Sequence, residues 1–251
     1  MLDLIKLKYK MGRQYVPDLR TAEIGQRFRG YPEISGKCGP DCSVCAGCCP
    51  SQAISLTPPV IDLGRCVFCG ECANACPENS IVFTNKHKLA ATDRKVLLVK
   101  PGLSYEDYTA TAVRARESIK KMFGRSLKLR QVSAGGCNAC EMELAACSNV
   151  NFDMGRFGIE VAASPRHSDG LLITGPVSEN MAYALLDTYR AAPAPKIIIA
   201  AGSCAISGGI FREEGALNRD FFSLVKTDLF IPGCPVHPLT VINGILSFLG
   251  A

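Results

Sequence analysis

Residues 66–77 read CVFCGECANACP, a run in which the cysteines are separated by two, two and three residues and a proline follows the last one. This spacing is typical of bacterial ferredoxins with two [4Fe–4S] clusters, in which the fourth cysteine binds the cluster that the first three do not. Three thiolates two residues apart wrap a tight loop around one cluster, and the backbone amides of that loop can point at the sulfurs. The run therefore predicts a small ferredoxin-type domain.

The same run occurs a second time, 27 residues upstream. Residues 45–57 (CAGCCPSQAISLT) align with residues 72–84 (CANACPENSIVFT), with cysteine, proline, isoleucine and threonine at matching positions. In this register Cys38 stands one residue early relative to Cys66, and Cys48 has no cysteine counterpart. The five cysteines of the upstream stretch are thus four members of a repeat and one additional residue.

We predict that the duplicated run binds two [4Fe–4S] clusters. The first cluster takes Cys38, Cys42, Cys45 and Cys76, and the second takes Cys49, Cys66, Cys69 and Cys72. Two alternatives stay open. Cysteine pairs separated by two residues also suit zinc, and the extra residue in the first copy would let Cys48 substitute for Cys38.

The composition favours a folded chain with metal or redox chemistry. Of its 251 residues, 47% are hydrophobic and 20% are charged, so it can bury a core. It holds no apolar run of about 18 residues and starts without a signal-peptide segment, which predicts no transmembrane helix and a cytoplasmic location. There, 14 cysteines favour metal or redox chemistry over disulfides. The net charge of +5 suits an acidic partner or an anionic membrane face and is too small to indicate nucleic-acid binding.

From residue 127 onward, predicted strands alternate with predicted helices. The strands are 127–132, 170–176, 196–202 and 228–233, and the helices are 137–149, 178–192 and 237–250. This alternation predicts a parallel sheet covered by helices on both faces. We therefore predict an α+β ferredoxin-like two-cluster domain followed by an α/β flavodoxin-like domain with a parallel sheet.

We divide the chain into four parts. These are an N-terminal amphipathic arm (1–30), the two-cluster ferredoxin-type domain (31–90), a connector region (91–126) and the α/β domain (127–251). In the connector, residues 95–99 are predicted to form a short strand. A helix of about 20 residues is predicted to begin at Ser104 and to stop at Gly124.

Four further cysteines follow the predicted strands of the α/β domain: Cys137, Cys140, Cys204 and Cys234. Because sites in parallel sheets form at the carboxyl ends of the strands, we expect these thiols to meet at one edge. A helix that starts near Cys137 would direct its positive end at an anionic cluster. We predict a third [4Fe–4S] cluster on these four cysteines, which leaves Cys48 and Cys147 without a role. The alternatives are unrelated buried cysteines and, with less support, a phosphate site at residues 133–136.

Two parts of the chain resemble known families. Residues 30–85 look like the ferredoxin-type subunits of complex I and of membrane-bound hydrogenases. The stretches SAGGCNACEMEL (133–144), RFGIEVAASPRHSDGLLITGP (156–176), IIIAAGSCAISGGIF (197–211) and IPGCPVHPLTVINGIL (231–246) resemble the small subunit of group 4 energy-converting membrane-bound [NiFe] hydrogenases of the formate hydrogenlyase and Ech types. They are similar also to the homologous B subunit of complex I.

Two details refine the resemblance. The spacing of Cys137 and Cys140 follows the hydrogenases, because the complex I subunit typically has two adjacent cysteines at this place. The ferredoxin module is fused to the small subunit, whereas the usual group 4 layout supplies it as a separate chain.

The resemblance implies an electron-transfer subunit without catalytic residues of its own, whose twelve cysteines bind three [4Fe–4S] clusters. Electrons would pass between a ferredoxin-type donor and the nickel–iron site of a [NiFe] hydrogenase large subunit, for H2 evolution or uptake. The chain would lie peripherally on the cytoplasmic side of a membrane, beside membrane subunits. The alternatives are a complex I-like quinone oxidoreductase subunit and a free-standing polyferredoxin electron carrier.

Several polar residues near the predicted third cluster have open roles. Glu141 and Glu143 could face the partner's active site or a proton path, or could be charges on a helix surface. Arg166 and His167 fit an interface salt bridge better than catalysis. His237 could bond a cluster sulfur or cap a helix.

The start of the chain combines apolar and basic residues. Residues 1–14 mix leucine and isoleucine with lysine and arginine, so they could lie on a membrane or a partner, or form a solvated arm against a neighbouring subunit. His87 is flanked by Lys86 and Lys88, and we expect it at the surface.

Overall fold

The computed structural model describes residues 2–12, 15–37, 42–56, 58–114, 117–123 and 126–250. Two residues that carry predictions, Cys38 and Gly124, lie outside this part of the chain.

The N-terminal half consists of short helices and antiparallel strands. Its elements are α1 (Leu2–Met11), β1 (Pro32–Ile34), α2 (Val44–Gly47), β2 (Ile54–Leu56), β3 (Pro59–Asp62), α3 (Glu71–Asn74), β4 (Ile81–Phe83), a 3-10 turn (Arg94–Leu97), β5 (Leu98–Val99), α4 (Tyr105–Ala112) and α5 (Glu117–Phe123). β1 pairs with β4, and β3 lies between β2 and β5.

The two copies of the cysteine run adopt the same local structure. Each copy forms a four-residue helix, α2 in the first and α3 in the second. Each is followed by a residue with left-handed backbone, Gln52 at φ 48° and Asn79 at φ 47°. The N–H of Gln52 donates to the carbonyl of Cys49 and that of Asn79 to the carbonyl of Cys76, both at 3.2 Å. The sequence repeat is therefore also a repeat of backbone geometry.

The C-terminal half is an α/β domain. Its elements are β6 (Leu127–Ser133), α6 (Ala139–Cys147), a 3-10 turn (Met154–Phe157), β7 (Ile159–Val161), a 3-10 turn (Pro165–His167), β8 (Gly170–Thr174), α7 (Glu179–Ala191), β9 (Ile197–Ala201), α8 (Ser203–Ser207), a 3-10 turn (Gly209–Phe211), α9 (Asp220–Leu224), β10 (Leu229–Ile231) and α10 (Pro238–Leu249).

The five strands of this domain form one parallel sheet in the order β10-β9-β8-β6-β7. Counted along the chain within the sheet, the order is 2-1-3-4-5, which is that of flavodoxin-like folds. β8 and β9 are buried along their whole length, as expected for strands with both faces covered. The predicted parallel α/β sheet is confirmed. The sequence pattern misses β7, because this edge strand has only three residues.

The connector contains two helices, so the prediction of one helix of about 20 residues is wrong. The predicted start is confirmed, since Ser104 Oγ accepts the N–H of Asp107 at 3.0 Å. Extended backbone at Val113, with φ −115° and ψ 117°, ends α4.

Thr92 explains the break between α4 and α5. Its N–H donates to the carbonyl of Ala112 at 2.8 Å, and its hydroxyl accepts the N–H of Arg114 at 3.2 Å. Backbone groups that would continue the helix are therefore bonded to another segment. The predicted strand at 95–99 is also shorter than expected, because only Leu98–Val99 pairs in a sheet.

The two halves share buried surface and hydrogen bonds. Leu19 and Ala90 from the first half are buried in the same cluster as the strands and helices of the α/β domain. Ala91 and Phe230 exchange two backbone hydrogen bonds of 2.9 Å. Ser203 Oγ, at the start of α8, donates to the carbonyl of Cys66 in the N-terminal half at 2.6 Å. The cysteine loops are thus held against the carboxyl edge of the parallel sheet, while the four-part division stays a prediction.

His87 is buried, with 6% of its surface exposed, so the expectation of a surface residue is wrong. Its Nε2 has no hydrogen-bond partner among the described residues. Burial lowers the pKa of His87 from 6.5 to about 4, with contributions from the positive charges of His237, Lys88 and Lys86. The imidazole is therefore held neutral.

Neutral His87 predicts a stability that declines as the pH falls from 6.5 to about 4. In this range the unfolded chain binds a proton at His87 and the folded chain does not, so protons favour unfolding. One such group contributes a slope of up to about 1.4 kcal/mol per pH unit. We expect His87→Phe to lose less unfolding free energy than the wild type between about pH 6.5 and about pH 5 in anaerobic denaturant titrations.

His167→Phe is the control, because it removes an exposed imidazole in place of the buried one. Equal slopes in the wild type and in His87→Phe would contradict the prediction.

Candidate functional site

Four cysteines of the two runs line one small cavity: Cys49, Cys66, Cys69 and Cys72. Burial raises the pKa of Cys66 and of Cys72 to about 12, and the charges of Cys49 and Cys69 contribute to both shifts. Cys49 belongs to the first run and the other three to the second. The structure therefore brings together the four residues predicted for the second cluster.

Backbone amides donate to sulfurs of this second group. The N–H of Ala53 donates to Cys49 Sγ at 3.2 Å, and the N–H of Phe68 donates to Cys66 Sγ at 3.3 Å. Hydrogen bonds of this kind favour a charged thiolate over a thiol, and they tune the potentials of iron–sulfur clusters. The surroundings of these sulfurs fit a cluster ligand.

The predicted first group is described in part. Cys45 and Cys76 are buried and Cys42 is half-buried, while Cys38 lies outside the described residues. The N–H of Ser80 donates to Cys76 Sγ at 3.3 Å, which repeats the bond made to the matching cysteine of the first run. The grouping of the first set stays a prediction.

Cys48, the additional cysteine of the first run, has neighbours from the second group. Burial raises the pKa of Cys48, and the charges of Cys49, Cys69 and Glu71 contribute. Its Sγ donates to the carbonyl of Cys45 at 3.4 Å. The alternative in which Cys48 replaces Cys38 stays a prediction, because Cys38 lies outside the described residues.

A third group of cysteines lies at the carboxyl edge of the parallel sheet. Cys137 follows β6, Cys140 lies in α6, Cys204 lies in α8 and Cys234 follows β10. Burial raises the pKa of Cys140 to about 12 and that of Cys204 to about 11, and the charge of Cys234 contributes to both. The charge of Cys137 contributes to the raised pKa of Cys204 and of Cys234. The fold therefore gathers the four cysteines predicted for the third cluster.

The backbone around the third group approaches its sulfurs closely. The N–H of Val236 donates to Cys140 Sγ. A Cβ on Gly202 would lie 2.8 Å from Cys140 Sγ, and a Cβ on Gly209 would lie 2.9 Å from Cys204 Sγ. Only glycine fits at these two positions.

The second and third groups are neighbours across the junction of the two halves. The raised pKa of Cys234 comes from burial, from Cys137 and from the charge of Cys69, which belongs to the second group. Ser203 Oγ, beside Cys204, donates to the carbonyl of Cys66 at 2.6 Å. A hydrogen bond thus joins the segments that carry the two groups.

Glu141 joins two strand ends next to the third group. Its Oε1 accepts the hydroxyl of Ser133, at the end of β6, at 2.7 Å and that of Thr174, at the end of β8, at 2.6 Å. It is half-buried. The sequence gives no signal for this arrangement, because Ser133 and Thr174 become neighbours only through the pairing of β6 with β8.

The other polar residues near the third group have separate positions. His237 caps α10, since its Nδ1 accepts the N–H of Leu239 at 3.1 Å, and its ring packs edge-on against Phe28 with centroids 5.3 Å apart. Burial raises the pKa of Glu143. Arg166 and His167 are exposed, and no salt bridge involves them within the part of the chain described.

The donor sets fit [4Fe–4S] clusters. The second and third groups each supply four cysteines, which is the usual ligand set of such a cluster. Among the described residues, no group of three or more histidine, cysteine, aspartate or glutamate side chains could hold a metal ion. Each cysteine of a four-iron cluster binds a different iron, so the thiols of such a set surround a volume and do not converge on one point.

Comparison with known proteins identifies two regions. Residues 137–248 match the family described as NADH ubiquinone oxidoreductase, 20 Kd subunit. Residues 59–82 match the 4Fe-4S binding domain. A Pyrococcus furiosus protein, "Probable membrane-bound hydrogenase subunit mbhJ", is 37% identical over 129 residues, which are 51% of this chain and 77% of the relative.

The chain belongs to the NADH ubiquinone oxidoreductase 20 kDa subunit family.

Other relatives within this family include the "Formate hydrogenlyase subunit 7" of Escherichia coli. It is 42% identical over 135 residues, which are 54% of this chain and 53% of the relative. A Methanocaldococcus jannaschii protein, "Uncharacterized protein MJ0516", is 42% identical over 130 residues, or 51% of this chain and 87% of the relative. A chain from the structure of an archaeal membrane-bound sulfane sulfur reductase has 31% identity over 53% of this chain and 73% of its own, with a TM-score of 0.46.

The matches confirm the family resemblance and at least one [4Fe–4S] binding domain, which contains Cys66, Cys69, Cys72 and Cys76. The family is one of oxidoreductase-complex subunits. In the described part of the chain, no helix has the length and apolar character needed to cross a membrane.

Gly202→Ala is predicted to empty the third site. The new Cβ would lie 2.8 Å from Cys140 Sγ, and the backbone of Gly202 at φ 90° and ψ 152° is a conformation that costs other residues about 1–3 kcal/mol. We expect an anaerobically purified variant to lose about four iron atoms per chain, measured by iron analysis and absorption spectra.

Gly215→Ala is the matched control, because its Cβ would meet nothing within 4 Å and its φ is not positive. Full iron content in Gly202→Ala would contradict the prediction.

Proposed function

We propose that this chain is the electron-transfer subunit of a membrane-bound [NiFe]-hydrogenase-type complex. It carries electrons between a ferredoxin-type donor and the nickel–iron site of a partner large subunit, for H2 evolution or uptake. The observation that carries this proposal is the hydrogen bond of 2.6 Å from Ser203 Oγ, beside Cys204, to the carbonyl of Cys66, which joins the segments of the second and third cysteine groups. The names of the hydrogenase relatives support the choice of complex.

Twelve cysteines hold three [4Fe–4S] clusters in this proposal. The first cluster takes Cys38, Cys42, Cys45 and Cys76, the second takes Cys49, Cys66, Cys69 and Cys72, and the third takes Cys137, Cys140, Cys204 and Cys234. When bound, such clusters accept and release single electrons. The chain's own contribution is to fix the ligands, to donate amides to their sulfurs and to exclude water from the second site, whose ligands Cys66 and Cys72 are buried.

The partner large subunit covers the edge of the sheet that carries the third group. Cys137 and Cys234 have exposed surface there, although neighbouring atoms partly desolvate the thiol of Cys234. Met142, in α6, is an apolar side chain with 67% of its surface exposed. A partner chain on this edge would cover the two cysteines and this apolar side chain.

A cavity beside Cys234 gives one alternative a physical basis. It is lined by apolar and charged residues from both halves, among them Phe28, Phe68, Arg29 and Glu143. An apolar pocket with a few polar groups is the usual form of a small-molecule site, so a quinone-type acceptor is the second candidate.

Purification of the complex from native membranes decides between the hydrogenase and the quinone oxidoreductase. Nickel in stoichiometric amount and H2 evolution from a reduced donor support the hydrogenase. Absence of nickel supports the quinone oxidoreductase.

Replacement of single cysteines tests the ligand assignment. We expect anaerobically purified wild type to contain about twelve iron atoms per chain and Cys204→Ala to contain about eight. Cys48→Ala should keep about twelve, because Cys48 is not among the twelve proposed ligands. Iron and zinc are measured together by elemental analysis.

Cys147→Ala is the second control, because Cys147 is buried among apolar residues and lies in none of the three groups. Zinc in place of iron, or equal iron in the wild type and Cys204→Ala, would contradict the assignment, and loss of iron from Cys48→Ala would place Cys48 among the ligands.

α1 provides the peripheral attachment to an anionic membrane surface. None of its residues is buried, and Leu2, Leu4, Ile5 and Leu7 are 48–72% exposed. Its lysines, Lys6, Lys8 and Lys10, add positive charge, and each lysine near such a surface contributes about 1 kcal/mol. A helix with these features lies in the membrane interface.

Leu4→Asp is predicted to weaken binding to anionic vesicles about tenfold or more, because a buried leucine contributes about 1.5–3 kcal/mol. Sedimentation with phosphatidylglycerol–phosphatidylcholine vesicles measures the partitioning, and neutral phosphatidylcholine vesicles should bind the wild type more weakly. Leu224→Asp, at an equally exposed leucine outside α1 (76%), is the control. Unchanged binding in Leu4→Asp would refute this role of α1 and favour contact with a neighbouring subunit.

A further inference from the structure

Arg219 is held beside the third cysteine group by backbone carbonyls. Its Nη1 donates to the carbonyl of Pro176 at 2.9 Å and to that of Cys204 at 3.1 Å, and its Nη2 donates to the carbonyl of Ala205 at 2.8 Å. The guanidinium also lies over the ring of Phe222, 4.9 Å from its centroid. These contacts fix the charged group where the chain leaves β8 and β9.

This guanidinium has no carboxylate partner within the described residues. Burial lowers the pKa of Arg219 to about 10, while the charge of Cys204 raises it and that of Arg94 lowers it. The arginine is therefore charged at neutral pH. Arg94 is paired with Asp62 at 2.6 Å, whereas the guanidinium of Arg219 bonds only backbone carbonyls among the described residues.

Two charged groups of opposite sign lie beside cysteines of the third group. Arg219 Nη1 donates to the carbonyl of Cys204 at 3.1 Å, and Glu141 directly follows Cys140 in α6. The guanidinium of Arg219 stays protonated at neutral pH because its pKa, even when lowered to about 10, lies well above 7. The third group therefore has a cation next to Cys204 and a carboxylate next to Cys140.

We propose that Arg219 is a positioning residue that raises the reduction potential of the third cluster by holding a positive charge at Cys204. The proposal rests on the proposed function, since it requires a cluster on these cysteines. Reduction adds one electron, and a nearby cation stabilises the added negative charge. Glu141 has the opposite effect, and partial burial reduces the screening of both charges by water.

The test is a redox titration of the three-cluster protein with dithionite and mediators, followed by electron paramagnetic resonance. The signal of the third cluster is identified by its loss in Cys234→Ala. In Arg219→Gln we expect the ratio of reduced to oxidised third cluster at a fixed potential to fall about tenfold, which corresponds to about 59 mV for a one-electron couple. In Glu141→Gln the ratio should rise, and in Arg219→Lys it should stay within about threefold of the wild type, a shift of less than about 30 mV.

Arg190→Gln is the matched control, because it removes one exposed arginine at the far end of α7 and should leave the ratio unchanged. A third signal with the same midpoint in Arg219→Gln and the wild type would overturn the proposal. Loss of the third cluster from Arg219→Lys would also overturn the proposal. It would show that Arg219 acts through its hydrogen bonds to the backbone carbonyls and not through its charge. Loss from Arg219→Gln with retention in Arg219→Lys supports the need for charge. A wild type without a third signal would instead refute the proposed function.

Discussion

The structure depends on holding several thiols close together while removing water from them. Burial raises the pKa of Cys66, Cys72 and Cys140 to about 12, so that free thiolates at these places are costly. A bound cation centre offsets that cost, because metal ligation requires deprotonated cysteine. Amide donors such as Ala53 and Phe68 contribute part of the same compensation. In the proposed function, the two cysteine loops and the sheet edge hold thiolates whose negative charge is balanced by the bound clusters.

Local sequence predicts the parts of the site that local geometry determines. The matching positions of Gln52 and Asn79 have nearly equal φ angles, which is why the repeat in the sequence returns as a repeat in the backbone. The position of Cys204 and Cys234 after strands suffices to place them at one edge, since parallel strands end together. In these cases the spacing of the cysteines and the direction of the strands are enough to predict where the thiols lie. The cysteine spacing likewise predicts that Cys49 joins the cysteines of the second run.

The features that sequence reasoning misses depend on contacts between distant segments. Val113 ends a helix because Thr92 bonds the neighbouring backbone groups. His87 is flanked by lysines, as surface residues often are, yet neighbours from other segments bury it. Arg219 is a charged residue in an irregular loop, and only the fold brings it to the carbonyl of Cys204. The periodicity of hydrophobic residues does not predict such contacts, because the contacting residues lie many positions apart in the sequence.

The junction between the two halves fixes the position of one cysteine group relative to the other without a docking step between separate chains. Separate chains would have to dock in one orientation and would lose translational and rotational freedom in doing so. Here the halves exchange backbone bonds at Ala91 and Phe230, and Ser203 bonds the carbonyl of Cys66. The loop that carries Cys66 and Cys69 is thereby fixed relative to the helix that carries Cys204. Since the charge of Cys69 contributes to the raised pKa of Cys234, the two cysteine groups are electrostatically coupled. In the proposed function, an electron at the second group would therefore lower the tendency of the third to accept another, and Arg219 opposes that repulsion at the receiving side.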